Sequence, residues 1–212
     1  VNIYANLSVQ DLLLESGMYM RLLLFLVMSF VVSTLKVNAE PKPTFSFHDW
    51  TVYIDEVDTG EDVRLTCNAF TRAIGRRGRG QPTVTLSISN GDVGPPHVYP
   101  HIYYEDFTHN GRRPVISVEK PTRFVFDNGI IIPALGHGFT DEYNIKRATA
   151  TAAPELLQPL LRAMRRNKTM SIYGGDQLSI KISLRGFTAA YIKLMDVCGF
   201  SSYGVIDPPF EK

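Results

Sequence analysis

Arg72, Arg76, Arg77 and Arg79 fall within nine residues, RAIGRRGRG, interleaved with Gly75, Gly78 and Gly80. Guanidinium groups bind carboxylate, sulfate and phosphate through paired N–H···O bonds, and glycines let the chain between them adapt. Such a loop is suited to an anionic partner: a phosphate, a lipid head group or an acidic glycan. Arg112 and Arg113 would extend the patch. A solvated loop between two strands is the plainer account of the same residues. Nucleic acid would also suit these residue types, but the export signal described below argues against that partner.

His97 and His101 stand in PPHVYPH (95–101). Pro95, Pro96 and Pro100 forbid a helix there, whereas on a strand an even separation puts both imidazoles on one side. With Asp106 or His109 as a third ligand they would form a metal site; otherwise they are exposed loop histidines or a contact that responds to pH. His48-Asp49 would pair a base with an orienting acid only if a nucleophile came near. The sequence has no GxSxG elbow, no HExxH helix and no Cys–His nucleophile setting. No catalytic residue, metal or cofactor is therefore assigned, and the chain reads as a non-enzymatic protein. A small metal-binding or hydrolytic enzyme using the loop histidines is the alternative.

The two cysteines, Cys67 and Cys198, cannot build a zinc site alone and form no CxxC pair. In an oxidising compartment an even count points to a bridge. Closing a loop of about 130 residues between them would contribute about 4 to 5 kcal/mol in the chain-entropy account. Two buried free thiols are the other possibility.

The compartment is read from Met18 to Pro43, MYMRLLLFLVMSFVVSTLKVNAEPKP. Arg21 gives a positive start, Leu22 to Val32 an apolar run, and Val37-Asn38-Ala39 a small-residue cleavage site before Glu40. This is the order of a secretory signal peptide. The apolar core is shorter than the roughly 20 residues of a spanning helix, although retention as an anchor stays open. Residues 1–17 then read as an upstream extension, with Val1 a misread start and initiation at Met18 or Met20. Residues 18–39 are the expected signal and 40–212 one β-rich domain in the periplasm or outside the cell, peripheral at most to a membrane.

The elements that must carry the arginines, histidines and cysteines are mostly short strands. The full chain holds 22 Lys and Arg against 21 Asp and Glu, and setting aside residues 1–39 leaves it nearly neutral, so no general attraction to polyanions follows. Period-2 alternation predicts strands at Phe45–Ile54, Asp62–Phe70, Thr83–Ser89, Val98–Tyr104, Pro114–Glu119, Arg123–Phe126 and Gly129–Pro133. Met170–Tyr173 and Gln177–Leu184 flank the hairpin turn Gly174-Gly175-Asp176. Two helices are expected, Pro154–Arg166, with a kink or broken turn at Pro159, and Thr188–Val197, with Thr188 as N-cap and Gly199 as stop. The second helix would fold onto the sheet and deliver Cys198 to Cys67. The predicted class is mainly β: an antiparallel sandwich or barrel-like domain with one or two short helices near the C-terminus.

Asp49-Trp50-Thr51-Val52 in the first strand, the Cys67 strand, and Leu178 to Leu194, LSIKISLRGFTAAYIKL, resemble the invasion-associated locus B family of exported bacterial proteins. The resemblance lies at the two ends of the 40–212 region. It implies a β-rich periplasmic or outer-membrane protein concerned with host-cell entry or envelope function, with no catalytic residues to carry over. The end motif also has a structural account. Gly186 lets strand turn into helix, Phe187 covers the sheet end, and Ala189 and Ala190 permit close packing. Trp50 reads as a core aromatic. The expected activity is binding through surface loops, with Arg72, Arg76, Arg77 and Arg79 as contacts for anionic envelope or host-surface molecules. A purely structural envelope component is a further alternative.

Overall fold

The first strand predicted from sequence is two strands. In the computed structural model β1 (Thr44–Phe47) turns at His48-Asp49 into β2 (Trp50–Asp58), with Phe47 opposite Trp50. The loop is missed in sequence because it holds no glycine or asparagine; His48 itself takes the left-handed conformation, φ 53°. The structure describes residues 43–58, 60–75, 81–108 and 115–207. These belong to one compact unit, Lys42–Lys212. The expected signal segment, 18–39, and the upstream residues 1–17 lie outside the described residues.

Eight further strands follow: β3 (Val63–Arg72), β4 (Thr83–Ser89), β5 (His101–Thr108), β6 (Thr122–Phe126), β7 (Ile131–Thr140), β8 (Lys146–Thr151), β9 (Thr169–Gly174) and β10 (Gln177–Ser183). They form one antiparallel sheet in the order β1-β2-β3-β4-β5-β8-β7-β6-β9-β10. The sheet does not close into a barrel. Among the described residues its far strand, β10, pairs with the chain just past β3 only at the isolated bridge Ala73–Ile182. β10 also meets the middle strand β5 through the interior, where the Tyr104 and Ser179 hydroxyls lie 2.7 Å apart.

β7 is the corner. Its first half, Ile131–Ala134, pairs with β6, and its second half, Leu135–Thr140, pairs with β8, as strands do where a sandwich turns from one layer to the other. Gly136 and Gly138 in that half leave room for the chain at Ile116, whose carbonyl would lie 2.7 Å from a Cβ at 138. This also corrects the strand expected over Pro114–Glu119. Ile116 is buried, but its neighbours cross β7 as a loop, and residues up to 114 lie outside the described set. β8, KRATAT, went unpredicted because its inward residues are only Ala148 and Ala150.

Two helices cover the inner face. α1 (Pro154–Arg166) runs unbroken across Pro159, so the expected kink is absent. Pro159 and Glu155 are both exposed, and the Glu155 carbonyl that loses its N–H partner lies on an exposed stretch of the helix. α1 buries Leu157, Leu160, Leu161 and Met164, each worth about 1.5 to 3 kcal/mol in apolar surface removed from water. α2 (Phe187–Val197) starts after Gly186, not at a Thr188 cap. It ends as predicted at Gly199 (φ 77°), where the Gly199 N–H donates to the Asp196 carbonyl and the Phe200 N–H to that of Met195. The core joins Trp50, Val52, Leu86, Ile102, Phe124 and Ile172 of the sheet to both helices. Cys67 on β3 and Cys198 after α2 are bridged, 131 residues apart in sequence, and both are buried. Among the described residues no helix is long and apolar enough to cross a membrane.

Candidate functional site

The β1–β2 turn and the turn from β10 into α2 meet at one place. The Asp49 N–H donates to the Arg185 carbonyl (3.3 Å), the Arg185 guanidinium to an Asp49 carboxylate oxygen (3.3 Å), and the Trp50 indole N–H to the Ser183 carbonyl (3.1 Å). Thr71 on β3 donates its hydroxyl to the Asp49 carbonyl at 2.7 Å. Below this the Trp50 and Phe187 rings meet edge to face, centroids 5.3 Å apart. Gly186 makes the approach possible. It lies at φ 91°, and a Cβ there would sit 2.0 Å from the Phe47 carbonyl oxygen. Thus DWTV and SLRGF, from opposite ends of the 40–212 region, are packing partners.

Over this junction opens a groove of about 650 Å³, lined among others by His48, Thr51, Phe70, Arg72 and Arg185. Arg72 is the exposed last residue of β3, and its guanidinium lies 5.1 Å from the centre of the Phe70 ring. Among the described residues Arg72 has no ion pair. Arg185 shares its charge with Asp49, whose carboxyl is held below the usual carboxylate range first by the Ser183 hydroxyl; burial opposes this, and the Arg185 hydrogen bond and charge add to the lowering. Two guanidinium groups thus line the groove with a single carboxylate, leaving an excess of positive charge beside a polar and partly aromatic wall.

Of the four arginines predicted as contacts, Arg72 is placed in this groove. Arg76, Arg77 and Arg79 lie outside the described residues, as do Arg112, Arg113 and His109. Arg185 was missed, because nothing in sequence joins it to Asp49, 136 residues away. The only hint was a charged residue just before the obligatory Gly186.

The histidines do not assemble. β5 begins at His101, three residues later than expected, so His97 remains in the loop, and both are exposed. Asp106 is buried on the core side of β5, opposite Ala148, whereas His101 points the other way. Among the described residues no group of three or more His, Cys, Asp or Glu could hold a metal ion. His48, Asp49 and the Ser183 hydroxyl line the same groove, and Ser183 acts on the Asp49 carboxyl more strongly than His48 does. The chain matches no protein-family model, no curated protein and no solved structure at a significant level.

Proposed function

We propose that this chain is an exported, non-enzymatic binding protein of the bacterial envelope or of host contact, and that it takes an anionic group between Arg72 and Arg185. The observation that carries the reading is the groove itself, where both arginines line about 650 Å³ of open space against a single carboxylate, that of Asp49. Guanidinium groups at the wall of a groove are suited to a carboxylate, sulfate or phosphate oxygen pair. The buried Cys67–Cys198 bridge supports export, since such bridges belong to oxidising compartments. The segment 18–39 would be the signal removed on the way, leaving Glu40 as the first residue. Arg76, Arg77 and Arg79, which follow the groove residue Ile74 closely in sequence, would add to its affinity for anions. The resemblance to the invasion-associated locus B family agrees with this location.

Titration with polyphosphate at low salt tests the site. The combined change Arg72→Gln and Arg185→Gln should weaken binding at least about ten-fold, because a charge-assisted hydrogen bond contributes about 1.5 to 3 kcal/mol. Equal binding by the variant and the unaltered protein, or none by either, would rule the site out.

A further inference from the structure

We infer that the groove is one end of a longer site, and that an extended acidic sugar chain lies across the outer face of the sheet with an anionic group held at Arg72 and Arg185. The inference rests on the anion reading above and names the class of partner. Residues directly opposite one another in an antiparallel pair share a face. The register therefore lines up Thr51, Phe70, Thr85, Tyr103, Thr151 and Leu135 across six neighbouring strands, β2-β3-β4-β5-β8-β7. Their chain neighbours Val52, Ala69, Leu86, Ile102 and Ala150 are buried in the core, so this row faces away from it, although within the row Thr85 is itself buried between Phe70 and Tyr103.

Apolar side chains recur on every second strand of the row: Phe70, which lines the groove, then Tyr103, 38% exposed, then Leu135, 64% exposed. Two strand spacings are about 10 Å, the order of a disaccharide repeat in an extended sugar chain. Polar rows run along both sides. On one lie Arg72, Thr83, Glu105, Thr149 and His137; on the other lie Tyr53, Asn68, Ser87 and His101, of which Asn68 is buried. An extended sugar chain presents C–H faces that rest on aromatic and aliphatic side chains, and hydroxyls along its edges that need donors and acceptors. An apolar track between two polar rows answers both demands. A protein partner would instead seek a contiguous apolar centre, and threonines interrupt this one at every other strand.

Three soluble polymers separate the terms: carboxymethylcellulose (an extended glucan carrying carboxylates), hydroxyethylcellulose (a neutral glucan) and polyphosphate (an anion without sugar). The full protein should bind carboxymethylcellulose most tightly and hydroxyethylcellulose weakly. Tyr103→Ser with Leu135→Ser should weaken carboxymethylcellulose binding about ten-fold and leave polyphosphate binding unchanged. Leu135→Ser alone should show a smaller loss in the same direction. Carboxymethylcellulose bound no more tightly than polyphosphate of equal charge, or bound equally by the outer-face variants, would overturn the inference while leaving the anion site standing. Failure of the unaltered protein to bind polyphosphate would instead remove the anion site beneath it.

Discussion

Gly186 is where the groove depends most on a single residue. Any side chain there meets both a left-handed backbone and the Phe47 carbonyl, 2.0 Å from the Cβ position. Gly186→Ala should therefore cost about 3 kcal/mol, from backbone strain together with the shift needed to clear the clash. Urea denaturation checks this, and a loss below about 1 kcal/mol would mean that the two turns are not held as described. The need for glycine was legible in sequence as a tight strand-to-helix turn. What the turn presses against was not, since Phe47 and Asp49 come from the opposite end of the domain. Arg185 shows the same limit from the functional side: its partner is set by sheet topology, which no local pattern carries. Trp50, by contrast, is buried as its place in an alternating strand indicated.

Among the elements, those with strong periodicity and clear boundaries were read well. The bounds of β4 agree with its alternation up to Asn90-Gly91, and those of α1 with its leucine stripe. Elements failed where the side chains lacked a signal. β8 is lined by alanines, and the turn between β1 and β2 uses a left-handed histidine. The Pro114–Glu119 stretch looked like a strand although it supplies a buried isoleucine from a loop. The two cysteines were legible as a pair, and their positions show what the bridge does. It ties the end of α2 to β3, the strand whose last residue is Arg72. Cys67→Ala with Cys198→Ala should lower the free energy of unfolding by about 4 to 5 kcal/mol, the entropy released to the unfolded chain by opening so long a loop. Unfolding curves for the double variant and the bridged protein would show it, and coincident curves would contradict the helix-fastening role.

At the scale of the whole molecule, one antiparallel sheet bends at β7, shelters two helices on its inner face and leaves its outer face and one arginine-lined groove open. This arrangement supplies walls for a ligand, and the excess of guanidinium groups over carboxylates in the groove is why binding of an anion is proposed. Near-neutral charge overall means that affinity for an anion must come from local placement of arginines, not from the field of the molecule. The proposed role also requires that the chain work outside the cytoplasm with its bridge formed. The intact mass of the protein recovered from its native compartment, taken before and after reduction, tests that requirement most directly. The predicted result is a chain that begins at Glu40 and is lighter by two hydrogen atoms before reduction. A chain that retains residues 18–39, with the same mass before and after reduction, would contradict both export and the fastened scaffold.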